Sequence, residues 1–580
     1  MTDVANASAV ATVVPNVTGL DKLFDYSIPP ELSAHVRVGT IVRVELHGRR
    51  IGGWVSSISN ESIDGRSIES LKPIAKVTGH GPAPELFELA EWASVRWAAR
   101  RLRPFLVAAS PGRSVVALPT DRRTGMQPAP VSPATTGLLA AGGGVLRLAP
   151  RVDVMPTLLA AAGCGPTLVV APERDVVALL ATRLRRAGLS VAIVPDDWAL
   201  AAGGVDVVIG TRSAAWAPCR DLAAAVLLDE HDEAHQEERT PTWHAREVLV
   251  ERCRRVGVPF VLVSPAPTLV AVVEYAGNGV VHPPPARERA GWSTVTVVGR
   301  TEEDPWKRSL VTSELIERIR NPDLTVVCVS NITGRARVLA CRTCRSLIRC
   351  ETCDAAVGLG DDGRLSCRRC STTRPAVCQS CGASRFANLR PGVTRLREEL
   401  QAAAARPVVS VTGADVGPPS RAGVYVGTEA VLHRIRSADV VAFLEFDSEM
   451  LAPRFRASEQ AMALIVRASR IAPEVLIQTF TPDHEVLAAA RAGDPAAVLA
   501  GERVRRESLG LPPFGALGVV YGSGASDLVS QLPDDIHIGG DGADRFLVRA
   551  TGWTALGLAL NAVERPPGSR VRVEIDPARI

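Results

Sequence analysis

The chain reads as an α/β protein. It has two lobes, each a parallel sheet covered by helices, with a two-zinc cysteine-rich insertion in the second, a small β-rich module in front and an α+β domain behind. Three observations predict this. From about residue 141, apolar runs of strand length alternate with helical ones, as in a parallel sheet with helical crossovers. Four C-x-x-C pairs interrupt the second series of such runs. The first hundred or so residues instead show short alternating strands around tight turns.

In chain order, Gly39–Glu45 and Arg50–Val55 flank a His47-Gly48 turn, a hairpin signal inside a module spanning 1–118. Leu86 to Leu102 has helical spacing, and the polar, proline-containing stretch Thr120 to Thr136 places a linker at 119–140. The first lobe, 141–308, should hold strands at Thr167–Val170, Ser190–Val194, Val205–Gly210, Ala223–Leu228 and Pro259–Ser264, with a helix over Asp175–Ala187. The run Gly142-Gly-Gly144 reads as a turn, because no Lys and Ser or Thr follow it. The second lobe opens at 309–340 with a strand at Thr325–Val329 and is broken by the cysteine block at 341–381. It resumes over 382–490 with Pro407–Val411, Gly423–Val426, Val440–Phe446 and Val475–Thr479. The final domain, 491–580, combines a helix near Asp494–Leu509, the Leu511-Pro-Pro-Phe514 break and strands ending in Arg570–Ile575.

The paired cysteines are Cys341, Cys344, Cys350, Cys353, Cys367, Cys370, Cys378 and Cys381. Each pair can place two thiolates on one tetrahedral ion, so eight thiolates make two closed four-sulfur zinc sites. Gaps of five, thirteen and seven residues between pairs permit a nested arrangement, with Cys341, Cys344, Cys378 and Cys381 on one ion and the inner four on the other; sequential pairing is the competitor. A closed all-thiolate site has no open position for water, so the metal is structural and not hydrolytic. Disulfides fit poorly: no signal peptide opens the chain, and Cys164, Cys219, Cys253 and Cys328 are scattered singly. The reading is therefore a cytoplasmic protein.

A net charge of +4 is too mild to demand nucleic acid, and no apolar stretch approaches the ~20 residues of a membrane span. Of 66 basic residues only Lys22, Lys72, Lys76 and Lys307 are lysine; arginine, which grips phosphate bidentately, carries the rest. Arg342, Arg345, Arg349, Arg364, Arg368, Arg369 and Arg374 surround the cysteine pairs, where they could touch phosphate or simply be solvated.

Several segments in a shared order resemble one family, the PriA replication-restart helicases of bacterial superfamily 2. They are Leu23-Phe-Asp-Tyr-Ser-Ile-Pro29, Gly210-Thr-Arg-Ser213, Asp229-Glu-His-Asp232 followed by His244-Ala-Arg246, the cysteine block, Gly427-Thr428, Phe455-Arg-Ala-Ser-Glu459, Val475–Thr479, Leu511-Pro-Pro513 and Val573-Glu-Ile-Asp-Pro577. The resemblance implies RecA-like helicase lobes and an N-terminal domain that holds the 3′ end of the leading strand at a fork. It places Phe24 and Asp25 in that end pocket, as a stacking face and an acceptor for the 3′ hydroxyl, with Lys72 as a phosphate contact. On residue habits alone, Phe24 and Tyr26 are core aromatics of a β module. The implied partners are forked DNA and single-stranded 3′ ends, single-stranded-DNA-binding protein, and the loaders of the replicative helicase. The family's winged helix has no counterpart in the short linker.

The motor chemistry departs from the family. An ATP-driven helicase needs a glycine-rich loop ending in Lys and Ser or Thr. In its place stands Leu148-Ala-Pro-Arg-Val-Asp-Val-Met-Pro-Thr157, with no glycine, two prolines and no lysine; between Lys76 and Lys307 there is none at all. The family's D-E-E-H falls on Leu228-Asp229-Glu230-His231, its S-A-T-P on Ser264-Pro-Ala-Pro267, and its last arginine motif keeps only Arg467 and Arg470. His231, Asp232, Glu233 and His235 suit a solvated loop better than a metal cluster. No catalytic residue and no working ATP site can be assigned. The expected function is fork binding and helicase reloading without unwinding. The alternatives are an active ATP-dependent 3′–5′ helicase with a divergent site, and a zinc-stabilised interaction scaffold without DNA binding.

Overall fold

The structure is a computed structural model describing residues 9–578 except 127, 129–131, 278, 301–309, 331–338, 361, 368–369, 389–392, 414, 416–418, 541–543 and 566–569. Lys307, Arg368 and Arg369 lie outside the described residues.

The N-terminal strands Val10–Pro15, Phe24–Ser27, Ile41–Leu46, Arg49–Ser59 and Lys76–Gly79 form one antiparallel sheet with Phe24–Ser27 and Lys76–Gly79 at its edges. The sheet curls: the Ser27 amide donates to Lys72 O at 3.0 Å and the Ile74 amide to Ser27 O at 3.0 Å, so residues 71–74 return to the opposite edge. The hairpin shows why. Val42 and Val44 point inward with Val13, Tyr26 and Val55, while Arg43 and Glu45 alternate outward. Helices Pro84–Arg96 and Arg103–Ala109 follow, and the turn between them breaks the longer helix that spacing over Leu86–Leu102 predicts.

The first lobe is a six-stranded parallel sheet in the order Gly143–Arg147, Phe260–Ser264, Ala224–Leu228, Thr167–Val170, Val207–Gly210, Val191–Val194. Its central strands are buried along their whole length, because helices cover both faces; this explains why they read as unbroken apolar runs. Gly143 and Gly144 are the start of a strand and not only a turn. Both have positive φ, and a Cβ on Gly143 would lie 2.5 Å from Phe260 O, so the edge strand can pair only with glycine there.

The second lobe is also six-stranded and parallel, ordered Thr294–Gly299, Glu474–Thr479, Val440–Phe443, Val326–Val329, Val424–Gly427, Val408–Val411. Its first strand lies before residue 309, where the sequence places the start of this lobe. Thr294–Gly299 pairs in register with Glu474–Thr479, a partner 180 residues away that no local pattern reveals. Segment 119–140 is likewise no free tether: the Arg122 amide donates to Gly204 O at 3.0 Å, and helix Pro133–Ala140 packs against strand Gly143–Arg147. The two lobes are RecA-like.

The C-terminal domain has helix Ala496–Leu509, an antiparallel four-stranded sheet and helix Trp553–Ala562. It shares one core with the N-terminal helices and the first lobe, containing Leu86, Trp97, Phe105, Trp216, Trp243, Leu528 and Leu556. Gly557 sits where a Cβ would fall 1.8 Å from Val95 O, and the Arg96 guanidinium lies 3.8 Å from the Trp553 ring centre. The end of its last strand ties both lobes. Thr242 Oγ1 in the first lobe donates to Ile575 O at 2.7 Å, and Arg456 in the second pairs with Asp576 at 2.6 Å. Among the described residues no helix is long and apolar enough to cross a membrane.

Candidate functional site: metal centres, N-terminal sheet and interlobe cleft

The eight thiols gather into two groups, Cys341, Cys344, Cys378, Cys381 and Cys350, Cys353, Cys367, Cys370, with the sulfur atoms of each group within 4.8 Å of one another. This is the nested arrangement. Closest separations are 3.4–3.5 Å. That is far above a disulfide's ~2 Å and near the ~3.8 Å edge of a tetrahedron with zinc–sulfur bonds of ~2.3 Å. Both groups therefore fit one zinc ion each.

All four pairs fold as the same turn. The amide of the first cysteine donates to the carbonyl five residues on (Ser346, Ala355, Thr372, Ala383), and the residue four on donates back to the cysteine carbonyl. That fourth residue, Arg345, Asp354, Ser371 or Gly382, has φ between 56° and 73°. Only one is glycine, so three side chains hold a left-handed conformation that a metal-bound turn can enforce. Small strands Leu339–Cys341 and Phe386–Asn388 close the region at its base, and the Ala356 amide donates to Leu451 O at 2.9 Å, joining it to the second lobe. Of the flanking arginines, Arg349 pairs with Asp354 and Arg374 donates to Val377 O.

In the N-terminal domain Phe24 and Asp25 are neighbours on one strand and so face opposite sides of the sheet. Phe24 is half-buried against the inner core beside Tyr26. Asp25 points outward and accepts from Thr12 Oγ1 at 2.8 Å, Ser62 Oγ at 2.7 Å and the Ile63 amide at 2.6 Å. Lys72 comes alongside through the curl of the sheet, its Nζ 2.6 Å from Glu45 on the neighbouring hairpin. The three predicted residues thus occupy one end of the domain but do not converge on a single point.

At the interlobe cleft, strand Gly143–Arg147 leads through the loop Leu148–Val154 into helix Met155–Ala162, the place of a phosphate loop. Four of the loop's amides are bonded within the chain: Leu148 N on Ser264 O at 3.3 Å, Arg151 N on Gly291 O at 3.2 Å, Val152 N on Ala149 O at 3.0 Å and Met155 N on the Asp153 carboxylate at 3.1 Å. Asp153 is held by Arg183 at 2.6 and 2.8 Å, and that hydrogen bonding keeps its carboxyl below the usual range. Gly291 packs so tightly on the loop that a Cβ there would be 2.5 Å from Ala149 Cβ. The sequence does carry a signal for Asp153, a helix-start aspartate two residues before the first helical position. Nothing local announces Gly291.

Acidic and basic side chains of the two lobes meet each other across the cleft. Arg470 grips Asp229 with both nitrogens, one at 2.6 Å. Arg467 joins Asp232 to Glu173, and His433 Nδ1 lies 2.9 Å from Glu173. Glu230 is paired with Arg246 inside the first lobe, His231 bonds Ser264 Oγ at 2.8 Å and His235 bonds Leu228 O at 2.8 Å, so these side chains do not gather around a metal. Burial alone would raise the Asp229 carboxyl, but Arg470 outweighs it and holds it at about 2. For Glu173, the His433 hydrogen bond and then Arg467 outweigh burial, giving about 2. A depressed carboxylate stabilises above its unfolded value and loses that contribution as pH falls through the folded one. We expect Arg470→Gln to cost about 2 kcal/mol near neutrality. Urea unfolding of variant and wild type should show the gap shrinking as pH drops from about 4 to 2.

Residues 10–107 match the family of the PriA 3′ DNA-binding domain (3′BD). The chain is 27% identical over 367 residues to the replication restart protein PriA of Bacillus subtilis, covering 57% of this chain and 45% of that protein. It is 26% identical to the probable replication restart protein PriA of Mycobacterium leprae over 97% of this chain and 100% of that one. It thus spans about half of the first relative's length and all of the second's. A DNA-bound structure of the DUF1998 helicase MrfA aligns with 74% of the chain at 11% identity and a TM-score of 0.33. The chain is thus similar to PriA proteins of several bacteria, and its N-terminal residues match the PriA 3′ DNA-binding domain.

Proposed function

We propose that this chain recognises stalled or abandoned replication forks through its 3′-end-binding domain and helps reload the replicative helicase, without an ATPase of its own. One juxtaposition carries the reading: an end-binding domain is retained in front of a lobe whose phosphate position the chain fills itself. A nucleotide's phosphates need free amides, a helix start open to anions and a lysine. Here four of the loop's amides are bonded internally, Asp153 sits at the helix start paired with Arg183, and the lysine is missing. A phosphate arriving beside Asp153 would meet a carboxylate already paired with Arg183 in place of a cradle of free amides.

The cleft residues support the same view. In a cycling motor the acidic and arginine motifs must be free to bind and release nucleotide. In this chain Asp229, Asp232 and Glu173 are engaged by Arg470 and Arg467, and the C-terminal strand fastens both lobes from one end. Such a body suits a rigid platform on which the end-binding domain and the zinc region face DNA and partners. The partners implied by the family, single-stranded-DNA-binding protein and a helicase loader, belong to this proposal.

The test pairs two measurements on the intact protein. ATP turnover, with and without a fork bearing a free 3′ leading end, should stay at the rate of an active relative whose phosphate-loop lysine is replaced by alanine. Fork affinity should be several-fold higher for a 3′ hydroxyl end than for the same fork closed by a 3′ phosphate. Fork-stimulated turnover above the control would sink the first half, and equal affinity for both ends the second.

A further inference from the structure

The N-terminal sheet has an outward face that its core does not use. Cross-strand register sets Arg43 opposite both Gly52 and Lys76, and Glu45 opposite Arg50, so these side chains stand on one face as neighbours. Arg43, Arg50 and Lys76 are all exposed. The same face is covered further along, where Ile41 and Trp54 pack under the following helices, and it is exposed at Arg43, Arg50 and Lys76. Gly52 keeps it flat: the Arg43 guanidinium lies 3.8 Å from where a Cβ would be.

The acidic counterweight is small. Glu45 is the one carboxylate within the group, and Lys72 already neutralises it at 2.6 Å. Among the described residues no ion pair reaches Arg43, Arg50 or Lys76. Lysine usage points the same way, since three of the chain's four lysines fall within its first 76 residues. The strip also has a direction. It starts at Lys72, whose backbone pairs with Ser27 at the end of the strand carrying Phe24 and Asp25, and runs across the hairpin to Lys76.

We infer that Arg43, Arg50 and Lys76 form a phosphate-tracking strip that holds the sugar–phosphate backbone of a DNA strand whose 3′ end lies at the Phe24–Asp25 end of the domain. The inference rests on the reading of this domain as an end binder and adds where the rest of the strand runs. Three exposed cations with only Glu45, itself bonded to Lys72, as an acidic neighbour match an evenly charged polyanion, and contacts of this kind give affinity without sequence preference.

The test is the full chain carrying Arg43→Ala, Arg50→Ala and Lys76→Ala together, with Arg43→Lys/Arg50→Lys as the charge-keeping control. All three positions are exposed, so zinc content and melting should match wild type. Fork affinity is measured between about 50 and 300 mM salt. Losing three phosphate contacts should flatten the plot of log affinity against log salt by about 2, with at least about a tenfold loss at low salt. The control should keep the wild-type slope. The ratio of affinities for 3′ hydroxyl and 3′ phosphate ends should not change, because the strip reads backbone and not terminus. An unchanged slope overturns the inference, as does a variant that loses an acidic peptide competitor while keeping DNA. If wild type itself ignores the end chemistry but the triple variant still flattens the slope, the end-binding reading fails and the strip survives.

Discussion

Chelating zinc from the full chain will unfold residues 341–381 while the two large sheets remain. The region's own core is too small to stand alone. It holds Leu339, Ile348, Ala355, Val357 and Leu365, and its other buried members are the ligands Cys341, Cys350, Cys367 and Cys378. At about 2 kcal/mol per buried aliphatic side chain, five such residues cannot order some forty. A structural zinc contributes on the order of 10–16 kcal/mol of apparent binding energy, realised only in the folded form. Hydrogen exchange should therefore accelerate across the four turns after chelation, with two equivalents of zinc released per chain. Exchange in strands Val326–Val329 and Val440–Phe443 should stay slow, since their bonds run to each other and not to the insertion. The nested grouping adds a sharper expectation. Cys341→Ser and Cys378→Ser act on one ion, so together they should cost little more than either alone; Cys341→Ser with Cys350→Ser should cost nearly the sum. Additivity in the first pair and its failure in the second would restore sequential pairing.

The zinc region was legible because its chemistry is written locally: four C-x-x-C pairs admit few other fates. The central strands of both lobes were equally visible, since a parallel strand buried on both faces is an apolar run bounded by polar residues, whereas the edge strands Gly143–Arg147 and Thr294–Gly299 were not. What the sequence hid is long-range. Thr294–Gly299 is not among the strands the sequence predicts, and its pairing with Glu474–Thr479 assigns it to the second lobe. The positive φ of Arg345, Asp354 and Ser371 has no sequence signal, because these positions carry no glycine and the hydrogen-bonded turn around each cysteine pair holds the conformation. In the cleft, the missing lysine and glycines were plain. The replacement partners were not: Arg470 reaches Asp229 across 241 positions and Arg467 reaches Asp232 across 235. Asp25 shows the limit of a motif. Its identity points to a ligand, whereas its geometry shows three donors already in place from Thr12, Ser62 and Ile63.

Replacing Arg246 by methionine should lower stability by about 3–5 kcal/mol. The Arg246 and Glu230 side chains are 3% and 0% exposed. Arg246 also donates to Glu247 Oε1 at 3.0 Å, and Thr268 adds two donors to Glu230, its amide at 2.9 Å and its hydroxyl at 2.6 Å. Burial pushes the Glu247 carboxyl up, but Arg246 outweighs it and keeps it ionised. Removing the cation leaves two buried carboxylates without the Arg246 guanidinium, Glu230 with only the neutral Thr268 donors and Glu247 with the Tyr275 hydroxyl. The deficit should thus be largest near neutral pH and should narrow as pH falls below about 4.5, where the unfolded chain's glutamates also take up protons. Urea denaturation at pH 7 and pH 4 reads both numbers. Glu230→Gln is the informative counterpart. Arg246 keeps Glu247 in that variant, and the amide can still accept from Thr268, so the loss should stay near 1–2 kcal/mol. Glu230 falls where the helicase family's acidic motif would serve nucleotide hydrolysis. In a working motor its neutralisation should abolish turnover and leave stability nearly intact. In this chain the effect should appear in stability alone, with fork affinity at the wild-type level, because the carboxylate faces Arg246 and Thr268 inside the lobe and not the cleft. A Glu230→Gln protein as stable as wild type but impaired in a fork-stimulated ATP turnover would return this residue to catalysis and the chain to the motors.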